Sequence, residues 1–300
     1  MFTGLSAFPL TPATDDGIDE VAFAALVRRL SDAGVDSIGA LGSTGGYAYL
    51  NRAERALATR IAVDNAGEIP VIIGVGSVRT RDVLAHVEDA QNCGAAGILL
   101  PPVTYQHLTD EEVFGLYQDV AAAASVPIVV YDNPGTTQID ISDDLHGRIA
   151  QLDGIASIKI PPVPTDPAQA TARVDRLRDR IPDHVTIGVS GDAHGAAGLI
   201  AGCDAWYSAI GGILPHECLA IARAAAAGDA ELATALSAGM QPIWDLLQQY
   251  GSYRVASAIA GHLGLVDTPN LPRPVQALDS AGQGAVLAAL TAIDHRRSLG

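Results

Sequence analysis

The chain has 300 residues, is 48% hydrophobic and carries a formal net charge of −16 at pH 7. That length suits one large α/β domain or two ordinary ones with a sizeable core, and the acidity argues against nucleic acid or an anionic membrane as partner. The three cysteines, Cys93, Cys203 and Cys218, have no C-x-x-C spacing, so neither a disulfide framework nor a zinc site is expected. No basic-then-apolar leader opens the chain and no apolar run reaches membrane length, so a cytoplasmic setting is expected.

Short runs rich in Val and Ile alternate with amphipathic stretches. In chain order the predicted strands are Gly4–Phe8, Ser37–Leu41, Val71–Val75, Gly97–Leu100, Ile128–Tyr131, Ile155–Ile160, Thr186–Val189 and Ala205–Ser208. All but one are free of charge, as strands buried on both faces should be. Helices are predicted between them over Glu20–Ala33, Asn51–Ala66, Thr80–Cys93, Asp110–Ala124, Ser142–Gln151, Asp166–Asp179 and Ala193–Ala201, with another after the last strand at Leu214–Ala226. Asp19, Ser142 and the acidic run at Asp110 supply capping groups or favourable charge at helix starts. Eight βα units within about 226 residues predict a (β/α)8 TIM barrel over 1–226. An open doubly wound sheet is the rival, but no G-x-G-x-x-G turn follows the first strand. After Ala226, Ala230–Gln249, Arg254–Leu263 and Ala277–His295 predict a C-terminal helical extension over 227–300.

The cations are unevenly chosen: seventeen arginines and a single lysine, Lys159. A coding preference for Arg explains a surface served by either cation. It does not explain the surviving amine, because a guanidinium stays protonated and forms no imine. Lys159 sits near the end of the sixth strand, and active sites of this barrel lie at the C-terminal strand edge. The same edge collects Gly42-Ser43-Thr44-Gly45 after the second strand, Tyr105 past the fourth, Tyr131 closing the fifth, Ser190-Gly191-Asp192 after the seventh and Tyr207-Ser208 ending the eighth. Asp192 reads equally as an N-cap for the helix that follows. His107, His194 and His216 have no ligand-like spacing, so no metal is expected.

The chemistry this set fits is amine catalysis. A lysine condensed with a ketone becomes an electron sink for carbon–carbon bond cleavage or formation. Burial lowers the lysine pKa from about 10.4, a phenol such as Tyr131 can shuttle protons, and the N–H groups of a Gly-rich turn, with the Ser43 and Thr44 hydroxyls, can cradle a carboxylate.

Gly42-Ser43-Thr44-Gly45, Pro101-Pro102 with Tyr105, Tyr131-Asp132-Asn133-Pro134, Ile158-Lys159 and Ser190-Gly191-Asp192, in this order and at these strand positions, resemble the dihydrodipicolinate synthase / N-acetylneuraminate lyase family of class I pyruvate-dependent aldolases. The resemblance spans essentially the whole chain. It implies that Lys159 is the Schiff-base lysine and Tyr131 the general acid/base. Ser43 and Thr44, framed by Gly42 and Gly45, would bind the pyruvate carboxylate, and Thr44 would link Tyr131 to Tyr105 in a proton relay. Tyr105 would reach in from a neighbouring subunit of a homo-oligomer, a tetramer or dimer. Tyr207 matches a position whose backbone lines the pyruvate site. No cofactor beyond the covalent lysine imine is implied. Three positions depart from the family pattern: Gly46 stands where Glu is usual, Asp132 where Asn is usual, and Thr136 where synthases of lysine biosynthesis carry the Arg that binds their second substrate's carboxylate. Sialic acid lyases share Asp192, but Ala193 and Ala209 stand where they carry Glu and a sugar-binding Ser. The leading expectation is therefore an aldolase or lyase acting on a 2-oxo acid such as pyruvate. The alternatives are a 2-keto-3-deoxy sugar acid dehydratase using the same imine, and a non-catalytic barrel that binds a 2-oxo acid.

Overall fold

The computed structural model describes residues 1–297, with side chains as far as Ile293; the last three positions of the predicted 227–300 extension lie outside the described residues. Eight parallel strands close into a barrel: β1 (Gly4–Ala7), β2 (Ser37–Ala40), β3 (Val71–Gly74), β4 (Gly97–Leu100), β5 (Ile128–Tyr131), β6 (Ile155–Ile160), β7 (Thr186–Val189) and β8 (Ala205–Ser208). β1 pairs with both β2 and β8, and the other neighbours follow chain order. The outer helices are α1 (Glu20–Ala33), α2 (Arg52–Asn65), α3 (Thr80–Asn92), α4 (Asp110–Ala123), α5 (Asp143–Ile149), α6 (Pro167–Arg178), α7 (Gly195–Ile200) and α8 (Pro215–Ala226). The expected (β/α)8 barrel is therefore the fold.

Local chemistry explains most boundaries. Asp19, Thr109 and Ser142 accept hydrogen bonds from the N–H groups of Ala22, Glu112 and Leu145 and so start α1, α4 and α5. β2 stops one residue early because Leu41 has a φ of 57°, which turns the chain out of the sheet. A left-handed conformation costs a non-glycine residue about 1–2 kcal/mol, and here it launches the Gly-rich turn.

Side chains alternate along each strand. Val130, Ile158, Ile187 and Trp206 face the helices, while Phe8, Ile72, Leu99, Val129, Tyr131, Ala205 and Tyr207 fill the barrel. Since Ile158 and Ile160 face outward, Lys159 between them faces in. The interior is crowded: a Cβ on Gly188 would lie 2.1 Å from the Tyr207 ring, so only glycine fits beside that tyrosine.

Beyond Ala226 lie α9 (Ala230–Gly239), α10 (Gln241–Tyr250), α11 (Ser252–His262) and α12 (Ser280–Arg297). The predicted single helix Ala230–Gln249 is two helices, which corrects that reading. Pro242 sits in the first turn of α10, where its missing N–H is harmless; inside a continuous helix it would clash with the carbonyl one turn earlier. Trp244 Nε1 donates to the Ser237 carbonyl at 2.9 Å and holds the two helices at the break. α12 packs on α10 and α11. No helix among the described residues is long and apolar enough to cross a membrane.

Candidate active site

β5 and β6 bring Tyr131 and Lys159 side by side as register partners. Lys159 is only 6% exposed, and its Nζ lies 4.3 Å from the centre of the Tyr131 ring. Burial strips water from the ammonium and pushes its pKa below the ordinary lysine value; the nearby Tyr131, Asp192 and Asp132 oppose this only in part. The arrangement favours a neutral, nucleophilic amine.

The turn after β2 closes over this pair. Ser43 Oγ and the Tyr131 hydroxyl share a hydrogen bond of 2.7 Å, and Asn133 Nδ2 donates to the same phenolic oxygen at 3.2 Å. Thr44 Oγ1 instead shares a hydrogen bond of 3.0 Å with Ser252 Oγ, at the start of α11. The expected link from Thr44 to Tyr131 and Tyr105 is thus not made within one chain. Ser43 takes the phenol, and the C-terminal helices give the threonine hydroxyl another partner. Tyr105 is 88% exposed on the loop between β4 and α4 and does not line the cavity.

A cavity of about 260 Å³ opens above Lys159. Ser43, Thr44, Tyr131, Lys159 and Tyr207 border it from the strands and the turn, while Asn133, Thr136, Ser190 and Asp192 border it from the connections that follow β5 and β7. Gly42 and Gly45 belong to the turn and not to the lining. Leu247 and Ser252 also line it; both come from beyond Ala226, and sequence reading missed them. Tyr207 presents its ring, packed edge-on against Phe8 with centroids 6.0 Å apart. Its hydroxyl is turned away to Ser157 Oγ at 2.7 Å, and burial raises its pKa.

Asp192 does not cap α7. It opens a short helical turn, Asp192–His194, and α7 begins at Gly195 with no side-chain cap. Its carboxylate accepts from Ser208 Oγ at 2.6 Å and from the Ile210 N–H at 3.1 Å, fastening the loop after β7 to the one after β8. Burial raises its pKa against the pull of those bonds and of Lys159.

Two departures from the family pattern have local causes. At Gly46 φ is 68°, and a Cβ there would lie 2.3 Å from the Tyr253 hydroxyl; Tyr253 stacks on Tyr49 with ring centroids 6.0 Å apart. The aromatic pair fills the space a longer side chain would need. Asp132 follows Tyr131 and therefore points outward, where its Oδ2 lies 3.4 Å from His146 Nε2 of α5 with both groups buried. Burial, with Asp140 nearby, pushes the Asp132 pKa up to about 7. Burial and Arg173 push His146 down to about 4. His146 was not singled out in the sequence; its partner on another element has no local signature. Among the described residues no cluster of three or more His, Cys, Asp or Glu side chains could hold a metal ion.

The model of the dihydrodipicolinate synthetase family matches residues 1–293. This chain belongs to that family. The 4-hydroxy-tetrahydrodipicolinate synthase of Nitrosomonas eutropha is 31% identical over 283 residues, covering 93% of this chain and 94% of its own. A crystal structure of dihydrodipicolinate synthase from Agrobacterium tumefaciens is 43% identical and superposes with a TM-score of 0.93 over 97% of this chain and 98% of that one. The Acinetobacter baumannii dihydrodipicolinate synthase, solved in complex with pyruvate, is 26% identical with a TM-score of 0.87 over 98% and 99% of the two chains. As a member of the dihydrodipicolinate synthetase family, the chain is a lyase of the pyruvate-dependent, Schiff-base aldolase type.

Proposed function

We propose that Lys159 forms a Schiff base with pyruvate, or with the pyruvate half of a longer 2-oxo acid, and that the enzyme makes or breaks the carbon–carbon bond next to it. The observation that carries this reading is the buried amine of Lys159 set over Tyr131, at the bottom of a cavity bordered by the Ser43-Thr44 turn.

The neutral amine attacks the C2 carbonyl, and the carbinolamine loses water to give an iminium. That positive nitrogen draws electrons from the neighbouring bond. In condensation, C3 gives up a proton and the resulting enamine adds to an aldehyde; in cleavage, the aldehyde leaves and C3 is reprotonated. Tyr131 is the group placed to carry these protons, and its bond to Ser43 and Asn133 fixes its hydroxyl. The Ser43 and Thr44 side chains and the N–H groups of the turn are read as the carboxylate cradle. Asn133, Thr136, Ser190 and Asp192 are read as the wall that meets the rest of the substrate.

Dehydration of a 2-keto-3-deoxy sugar acid would use the same imine, and it needs no second, separately bound substrate. Product analysis separates the two: free pyruvate plus an aldehyde marks cleavage, whereas loss of water with the carbon chain intact marks dehydration. We also read the enzyme as a cytoplasmic homo-oligomer in which the exposed Tyr105 meets a second copy; a monomeric mass in light scattering together with full activity would contradict the shared-site version. For the central claim, borohydride added with pyruvate is expected to leave a reduced pyruvyl group on the peptide carrying Lys159. An unmodified peptide at saturating pyruvate would overturn it.

A further inference from the structure

Tyr131 is the last residue of β5, and Ser43 and Asn133 hold its hydroxyl from within the barrel. Its backbone is held from outside. The register of β4 and β5 runs as far as Leu100 and Val130. One residue on, the Tyr117 hydroxyl of α4 donates to the Leu100 carbonyl at 2.7 Å and accepts from the Tyr131 N–H at 3.3 Å. Tyr117 is fully buried, on the face that α4 buries through Val113, Leu116 and Val120. Burial raises its pKa, so the phenol stays protonated and keeps its donor. Phenylalanine would fill the same space; what tyrosine adds is the link between the two strand ends.

Asp132 carries the next anchor. Its N–H donates to the Lys159 carbonyl at 2.9 Å, which ties the acid/base to the imine lysine through the backbone. Its side chain leaves the barrel for His146 of α5, 3.4 Å away and completely buried. Arg173 and Asp143, themselves 2.9 Å apart, and Asp140 are the charged groups around the pair. Asp132 Oδ1 and both ring nitrogens of His146 have no hydrogen-bond partner among the described residues. Buried polar groups left this way cost stability, and a well-packed apolar pair would cost less. Stability therefore does not account for the contact, which lies one residue from Tyr131.

We infer that Tyr117 and His146, neither of which lines the cavity, are positioning residues: from α4 and α5 they fix the backbone of Tyr131 and Asp132 and so set where the phenol meets the imine. The inference rests on the acid/base role proposed above for Tyr131.

Exchange of the C3 protons of pyruvate for deuterium in heavy water, followed by NMR with the intact enzyme, reads that step without a second substrate. The Lys159 iminium gives up a C3 proton, and the enamine takes a deuteron in its place. Borohydride trapping of pyruvate on the same proteins reads the occupancy of Lys159 separately. Tyr117→Phe and His146→Asn are each expected to slow exchange at saturating pyruvate about tenfold, as a small misplacement of a reacting group does, while half-saturation of trapping moves less than about threefold. On a Tyr131→Phe background neither change should slow exchange further, because the group they position is gone. Exchange at the parent rate in either variant, a loss of trapping that matches the loss of exchange, or an equal further loss on the Tyr131→Phe background overturns the inference and leaves the imine standing. A parent protein that traps no pyruvate overturns the imine itself. A parent that traps pyruvate but exchanges no faster than Tyr131→Phe overturns the acid/base role and this inference with it.

Discussion

The cavity has two sides of different origin. One is built from strand ends and the Gly-rich turn, where Lys159, Tyr131 and Ser43 meet. The other is closed by the C-terminal helices, through Leu247, Ser252 and the Tyr253 ring against Gly46. The strand side is placed by hydrogen-bonded register, which fixes neighbours residue by residue. The helical side is placed by packing across nearly the whole chain length. The difference suggests that the barrel carries the chemistry, while the C-terminal helices tune how the substrate is held.

Substitutions on the two sides should differ in size and in kind. The largest effect is expected on the strand side. Lys159→Arg keeps the charge and removes the nucleophile, so turnover should fall to background, a loss on the order of 10⁴-fold or more. Residual activity above about 1% in a steady-state assay would break the comparison at its strongest point. Next, Tyr131→Phe deletes the hydroxyl that Ser43 and Asn133 hold. A loss of about 10²–10⁴-fold in kcat is expected, with the protein still trapped by borohydride, though more slowly.

On the helical side the effect should be smaller and of another sort. Ser252→Ala removes the partner of the Thr44 hydroxyl. One hydrogen bond is worth about 0.5–1.5 kcal/mol, so KM for pyruvate should rise a few-fold with kcat nearly unchanged. A fall in kcat comparable with that of Tyr131→Phe would show the helices taking part in the chemistry itself.

The barrel was legible because strands buried on both faces read as unbroken Val and Ile runs, and because their number and spacing leave few topologies. Lys159 was legible because it is the single lysine beside seventeen arginines, and period-two alternation then turns it inward. Ser252 and Leu247 were not legible, since a lone serine or leucine in an amphipathic helix has no local mark of a distant partner. The same holds for Thr44, whose hydroxyl is claimed by α11 rather than by Tyr131. The break at Met240 had a signal in Pro242 that was not used. Asp132 was noticed as a departure, but its burial against His146 is a tertiary fact.

That buried pair gives the most pH-specific test, just outside the strand side and read in stability rather than in rate. Asp132 is raised from an ordinary carboxylate value to about 7 in the fold. The unfolded chain therefore releases this proton at lower pH than the native protein does. Its contribution to stability is fully present below about pH 4 and is lost as pH rises to about 7. His146, lowered to about 4, acts in the other direction: its contribution is present above about pH 6.5 and is lost as pH falls toward 4. Asp132→Asn removes only the first of these. The variant should gain thermal stability relative to the parent as pH is raised from 5 to 8, by at most a few kcal/mol. A difference in Tm that stays constant across that range would show that the carboxyl does not titrate as its surroundings demand.

The measurement that bears most directly on the whole account is a crystal structure of the protein soaked in pyruvate. The account predicts continuous density from Lys159 Nζ to C2 of the ligand, with the carboxylate on the Ser43-Thr44 turn and the Tyr131 hydroxyl beside the new bond. Pyruvate bound without a link to Lys159, or linked with its carboxylate turned away from that turn, would contradict it.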